Sequence, residues 1–137
     1  MREQTYRIES QSNIKQLLLG AIMWANNKTK EGAPFPDNFD QLMKDEDMSP
    51  QVLINPRHPE TPVGYLYIRP PEGETAPGER LMIYEKFTRF GQGINVGFAD
   101  GHAEWVSDER QFNKLRDEAE RISKAGVPPK AATPGSK

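Results

Sequence analysis

The chain has 137 residues, of which 35% are hydrophobic, and this length suits one small domain. Its formal net charge of -2 argues against a general nucleic-acid-binding protein, and the lack of cysteine excludes disulfides, thiolate catalysis and cysteine-ligated zinc. The sequence contains no run of about 18 apolar residues and no signal-peptide pattern, so we expect no membrane-spanning segment within it.

The first predicted element is a helix over residues 3–28. Apolar residues recur there at spacings of three and four, the pattern of a helix face packed on a core. They are Ile14, Leu17, Leu18, Ala21, Ile22 and Ala25, with Leu19, Met23 and Trp24 widening the stripe. The first dozen residues are mostly polar, so we expect that end to project from the body or to continue an upstream segment. Gly20 is either a tolerated helix glycine or a mark of close helix–sheet contact.

Short elements follow up to about residue 86. Asp37 is placed to cap a short helix, and Ser49-Pro50 can open a helical turn. Two β-rich segments, 63–69 and 80–86, predict strands, and the proline-rich segment 55–62 predicts a loop. The apolar residues that the short helix and the turn would bury are Phe39, Leu42, Met43, Val52 and Leu53.

The strongest local signal is Asp100-Gly101 between two apolar runs, which predicts a β-hairpin. A two-residue type I′ loop would pair Gly97 with Glu104. This register makes one face of the hairpin apolar and the other mostly polar, so the turn chemistry and the pattern agree. The apolar face would consist of Val96, Phe98, Ala103 and Trp105, and we expect it to pack against the N-terminal helix.

A last helix is predicted after Val106, capped by Ser107 or Asp108. Its narrow apolar stripe, enough to dock on a surface, is Phe112, Leu115, Ala119 and Ile122. Residues 127–137 have the composition of a disordered tail. The elements predict one α+β domain over residues 1–126: a long N-terminal helix packed on a three- to four-stranded antiparallel sheet, with a C-terminal helix.

Two stretches of the sequence resemble known families. Residues 12–27, followed by Phe35-Pro36, resemble the stretch after the membrane segment in type IV pilin-like proteins and type II secretion pseudopilins. Tyr84-Glu-Lys and Gly-Ile-Asn-Val-Gly-Phe-Ala-Asp-Gly-His-Ala-Glu-Trp-Val, residues 93–106, resemble the end of prepilin-type proteins with a His-x9-Asp-Gly signature. The resemblance implies a pilin-like fold and a role in assembly in the cell envelope rather than catalysis.

The sequence departs from the family pattern in three ways. The family's N-terminal hydrophobic helix and its prepilin-peptidase cleavage site are absent from this sequence. The signature histidine falls at Phe90, and the cysteine often found before the first strand corresponds to about Asn55, so neither role carries over. The resemblance implies that the protein packs through its N-terminal helix with other pilin-like subunits or with further copies of itself. It also implies that the secretion or pilus machinery is a partner. Location at the periplasmic face of the inner membrane is implied if an anchor precedes the sequence; otherwise the protein would be soluble.

Asp100, His102 and Glu104 are the strongest candidates for a chemical site. His102 and Glu104 share a strand face at i and i+2, and these ligand types suit several divalent ions. The alternative, which we prefer, is that Asp100 forms the turn and that His102 and Glu104 are ordinary solvent-exposed residues on the outer face. The resemblance also admits calcium, since one class of pseudopilins binds it near the end of the sheet. Ca²⁺ prefers six to eight oxygen ligands, however, and the sequence has no carboxylate-rich loop there to supply them.

We expect a structural protein without a cofactor, not an enzyme. His58 and His102 are the only histidines, and no Gly-x-Ser-x-Gly elbow occurs. Gly91-Gln-Gly93 lacks the ending of a phosphate-binding loop and predicts a hinge. The residues expected to carry the structure are Leu18, Ile22, Val96, Phe98, Asp100, Gly101 and Trp105. The alternative function is a metal-binding module or metal-dependent hydrolase built on Asp100, His102 and Glu104.

Overall fold

A computed structural model describes residues 2–28, 35–57, 60–70, 77–86 and 93–125. Its elements are helices α1 (Arg2–Lys28) and α2 (Phe39–Asp45), strands β1 (Leu66–Tyr67), β2 (Leu81–Tyr84), β3 (Ile94–Phe98) and β4 (Ala103–Val106), and helix α3 (Glu109–Ala125). The strands form one antiparallel sheet in the order β1-β2-β3-β4. The predicted α+β architecture, with its long first helix and C-terminal helix, is confirmed. The predicted tail and most of the hinge, residues 91 and 92, lie outside the described residues.

Helix α1 lies against one face of the sheet and supplies most of the first core. The centre of the predicted stripe is fully buried, and Ile22 and Ala25 at its end are half-buried. Strand β2 contributes two successive residues, Met82 and Ile83, to this core. A register shift between Leu81 and Ile83 makes this possible, because a bulge turns an extra side chain to the same face. The fully buried stripe residues are Ile14, Leu17, Leu18 and Ala21.

The close approach of α1 to the sheet depends on a glycine of the sheet. A Cβ atom on Gly97 would lie 2.7 Å from both Ile14 Cγ2 and Leu18 Cδ1, so the bare backbone lets these side chains reach the strand. Gly20 has a different neighbour. A Cβ atom there would lie 2.7 Å from Met48 Sδ and 3.5 Å from Leu42 Cδ1, so the nearest neighbours of this glycine are α2 and the segment after it.

Helix α3 covers the opposite face of the sheet and forms a second core with it. Asp108 caps this helix, since its Oδ1 accepts the Arg110 N–H at 2.9 Å. The predicted stripe is confirmed: Phe112, Ala119 and Ile122 are buried and Leu115 is half-buried. The sheet is therefore enclosed on both faces, and every residue of β2 and β3 is buried. The second core contains Ile68, Leu81, Tyr84, Ile94, Val96, Phe98, Val106, Phe112 and Ala119.

The hairpin turn is where the sequence predicts it, but the register differs by one residue. Gly97 pairs with Ala103 and Val96 with Glu104. A three-residue loop replaces the two-residue one: Phe98 N–H donates to the His102 carbonyl and Gly101 N–H donates to the Phe98 carbonyl, both at 2.9 Å. A type I′ loop needs positive φ at both central residues, and of the pair Asp100-Gly101 only Gly101 has it, at 100°.

This register changes which residues share a face. Val96 and Phe98 pack beneath α3, so the prediction that they meet the N-terminal helix is wrong. Trp105 lies on the α1 face together with Asn95 and Gly97. Leu18, which contacts Gly97, and Trp105 therefore remain on the same side of the sheet. The predicted apolar-in, polar-out division fails because helices cover both faces.

The first two strands are shorter than predicted. Strand β1 spans only Leu66–Tyr67 in place of 63–69, and β2 spans Leu81–Tyr84 in place of 80–86. The start of the β1 segment is bound elsewhere, since Gly64 N–H donates to the Leu53 carbonyl at 2.8 Å. A backbone group that already bonds to a neighbouring turn cannot also extend the sheet ladder.

The two short helical segments form as predicted, with one change of cap. Ser49-Pro50 opens a 3-10 turn, Pro50–Leu53, that buries Val52 and Leu53. Helix α2 is capped by Asn38, whose Oδ1 accepts the Gln41 N–H at 2.8 Å, and the prediction of Asp37 is wrong by one position. Asp37 instead pairs with Arg69 Nη1 at 3.0 Å. Asparagine and aspartate are equally good caps, so composition cannot choose between neighbours.

Candidate functional site

Large apolar side chains lie on the outer surface of α1, away from its buried stripe. Ile8 is 62% exposed, Leu19 59% and Met23 48%. Leu19 and Met23 are one helical turn apart and so form a continuous patch, whereas Ile8 stands about three turns earlier. The prediction that Leu19 and Met23 widen the buried stripe is wrong, because they point outward. An exposed apolar patch on a helix is typical of an interaction surface.

The polar part of α1 is attached to the sheet from Arg7 onward, so this part does not project from the body, and the alternative of an upstream continuation stays a prediction. Ser10 is fully buried and donates a hydrogen bond to the carboxylate of Glu85, directly after β2. Asn95 Nδ2 on β3 donates to the Arg7 carbonyl at 2.9 Å. The apolar stripe of α1 thus continues toward the N-terminus as a polar stripe that also contacts the sheet.

Glu85 is the centre of a buried polar network that the sequence analysis missed. Its side chain is 0% exposed and forms an ion pair with Arg57 Nη1 at 2.5 Å. The carboxylate also accepts the Asn95 backbone N–H at 2.8 Å and the Asn55 Nδ2 at 3.1 Å. Helix α1, the segment 55–57, the end of β2 and strand β3 therefore meet at one charged group. Extending the spacing of the α1 stripe one turn back, to Ser10, is the signal that could have located it.

The hairpin brings together the three residues that were singled out as a possible metal site. His102 Nδ1 lies 2.5 Å from Asp100 Oδ1, and His102 Nε2 lies 2.8 Å from Glu104 Oε2. The imidazole stacks on Phe98, with the ring centroids 4.5 Å apart and the planes at 3°. All three groups are more than one-third exposed. The arrangement is an exposed imidazole whose two ring nitrogens each face a carboxylate.

The two carboxylates favour the protonated form of His102. Burial lowers the pKa of His102, but the hydrogen bonds and charges of Asp100 and Glu104 outweigh it and raise the pKa above the ordinary 6.5. For Asp100, burial raises the pKa, and hydrogen bonds from the His102 backbone and ring outweigh it, so the pKa falls below 3.8. The doubly protonated ring can donate to both carboxylates at once.

The possible metal ligands of the hairpin already contact one another. Both ring nitrogens of His102 are in hydrogen-bond contact with carboxylates. In the described ranges no group of three or more histidine, aspartate and glutamate side chains is arranged to hold a metal ion. The histidine that the sequence also contains, His58, lies outside the described residues. The metal-binding alternative stays a prediction.

No family model, curated protein or solved structure matches this chain. Among its described helices none combines the length and the apolar character needed to cross a bilayer. The features of the chain that bear on its function are the outer surface of α1, the hairpin and the Glu85 network.

The protonation of His102 can be tested by NMR. We expect a titration midpoint above 6.5 for the His102 ring, because two carboxylates stabilise the imidazolium. Asp100→Asn and Glu104→Gln should each lower the midpoint. The His102 contribution to folding is fully present below pH 6.5 and is lost as pH rises through the folded-state pKa. The Asp100 contribution is present above pH 3.8 and is lost as pH falls through its own lowered pKa.

The control for this titration is Asp117→Asn on α3. It removes the same charge from an exposed carboxylate that pairs with Arg116, so the His102 midpoint should not move. A wild-type midpoint at or below 6.5, unchanged in both hairpin variants, would contradict the expected contacts.

Proposed function

We propose that this protein is the head of a pilin-like or pseudopilin-like subunit, which acts in cell-envelope assembly or protein secretion by packing with other subunits. Its partners are other pilin-like subunits or further copies of itself, joined through α1. The observation that carries the proposal is the apolar patch Leu19 and Met23 on the exposed side of a 27-residue helix whose other side is fixed to the sheet.

The two sides of α1 support a fold-stabilising role for the inner side and an intersubunit contact for the outer side. The inner side has a completely buried apolar stripe, so the helix cannot turn its other side to the sheet without losing that core. The outer side keeps apolar residues that water disfavours, and an adjacent helix would cover them. The order of elements, a long helix followed by an antiparallel sheet, agrees with the pilin-like fold that the sequence resemblance implies.

Cysteine cross-linking tests the proposed interface. These 137 residues contain no cysteine, so Leu19→Cys introduces the single thiol among them. We expect oxidation of cells producing this variant to give a disulfide with a matched single-cysteine variant of the same protein or of a pilin-like partner, identified by mass spectrometry. A disulfide needs Cα atoms roughly 4.4–6.8 Å apart, so its formation reports direct contact.

Leu66→Cys is the matched control. Leu66 is 44% exposed, like Met23, but lies on β1, where it pairs with Tyr84 of the second core. The proposal requires cross-links at position 19 and none at position 66. Equal cross-linking at both positions would indicate random collision, and none at position 19 would remove α1 as the subunit interface.

A further inference from the structure

Two arginine side chains lie over the indole ring of Trp105. The Cζ atom of Arg7, in α1, is 3.8 Å from the ring centroid, and the Cζ atom of Arg57 is 5.2 Å from it. Arg7 and Trp105 are both half-buried, so this stack lies at the surface beside the buried network. The indole face holds the Arg7 guanidinium by a cation–π contact.

The two arginines differ in how their charge is balanced. Arg57 is paired with Glu85 at 2.5 Å. Arg7 Nε is buried and has no hydrogen-bond partner within the part of the chain that the structure describes. Asn95 is bonded to the Arg7 carbonyl rather than to its side chain. Within the described residues, Arg57 therefore has a carboxylate partner, whereas the Arg7 guanidinium rests on the indole ring with its Nε unbonded.

A buried N–H group without an acceptor is unfavourable, and a guanidinium group is shaped to bind oxyanions through parallel N–H donors. Stacking on Trp105 fixes the plane of the Arg7 group before any ligand arrives, so little conformational freedom is lost on binding. We propose that Arg7 and Trp105 form a binding site for an oxyanion, a carboxylate or phosphate group. The site is on the sheet side of α1 and does not depend on the subunit interface proposed at Leu19.

The two tryptophans of the chain provide a signal and an internal control. Each gives one indole N–H resonance in a ¹H–¹⁵N NMR spectrum. Trp24 is bonded to a different partner, since its Nε1 donates to Asp45 Oδ2 at 2.7 Å. Wild-type protein would be titrated at pH 7 with inorganic phosphate and, separately, with acetate, at ionic strength held constant with sodium chloride.

We expect a saturable shift of the Trp105 resonance with phosphate, acetate or both, and none for Trp24. The two arms show whether the site takes a phosphate or a carboxylate group. Arg7→Gln should abolish the saturable shift, and Arg7→Lys should weaken binding because lysine lacks the planar pair of donors. Urea unfolding of both variants confirms that they fold.

Several results would overturn the proposal. A Trp105 shift that is absent, or that grows linearly without saturation in both arms, means that no oxyanion is bound there. Equal shifts of both tryptophans indicate a general salt effect. A saturable shift that persists unchanged in Arg7→Gln removes Arg7 from the site. The wild-type titrations alone can decide the first two of these outcomes.

Discussion

Glu85→Gln should lower the free energy of unfolding by about 3–5 kcal/mol, as measured by urea denaturation followed by circular dichroism. The substitution keeps the size of the side chain but removes the negative charge that faces Arg57, whose own side chain is only 6% exposed. Without the Glu85 carboxylate, the buried arginine loses an attraction that offsets part of its desolvation cost. The loss is large against the roughly 5–15 kcal/mol stability of a typical domain.

Glu118→Gln provides the comparison. Glu118 also pairs with a largely buried arginine, Arg80, at 3.2 Å, but its own side chain is 48% exposed. Solvent screens such a pair, so we expect a loss of no more than about 1 kcal/mol. Equal losses for the two variants would mean that burial of Glu85 is not what matters. Replacing Arg57 and Glu85 together by leucine should recover part of the loss, since both buried charges are then removed.

Leu18→Ala should cost about 2–5 kcal/mol of unfolding free energy, whereas Leu19→Ala should change it by no more than about 0.5 kcal/mol. The two residues are adjacent on α1, so the difference in helix propensity between leucine and alanine cancels in the comparison. Leu18 is fully buried over Gly97, and Leu19 is 59% exposed. Removing Leu18 leaves a cavity under the helix, and removing Leu19 leaves only solvent.

The same urea titrations measure both leucine variants. Similar losses of unfolding free energy at positions 18 and 19 would contradict the assignment of Leu18 to the inner side of α1 and Leu19 to its outer side. A slope of the unfolding curve that stays unchanged between wild type and variants confirms that the same surface is exposed on unfolding.

The elements that the sequence predicts best are those with a single strong period. The helical spacing of Ile14, Leu17, Leu18 and Ala21 locates the buried side of α1, and the same spacing locates that of α3. The Asp100-Gly101 turn is also in its predicted place. In each case the signal is local, so no knowledge of the rest of the chain is needed.

The hairpin register could not be predicted, because an alternating pattern defines the register only where one face of the sheet is buried. With α1 on one face and α3 on the other, Val96 and Gly97 are both buried although they point in opposite directions. Alternation then carries no information about which side is the core. The deciding feature was the backbone of Asp100, whose φ is not positive. Composition at a turn cannot show this directly.

The candidate sites also differ in whether their contacts are local in sequence. The contact of His102 with Asp100 and Glu104 follows from their closeness in sequence, and the sequence analysis named all three residues. The Glu85 network joins residues that lie 10 to 75 positions apart, so no short motif can reveal it. The exposure of Leu19 depends on which side of α1 meets the sheet, and a wide apolar stripe does not define that side.

Helix α1 is fastened to the sheet at two separate points, by an apolar contact at Gly97 and by the Ser10–Glu85 bond about one to two turns nearer its start. Two attachments along a rigid rod resist rotation about its axis as well as sliding along it. A mechanical load applied to the helix is therefore passed to the whole sheet at once, without peeling the two apart. A helix held in this way can transmit a displacement from one end of the molecule to the other.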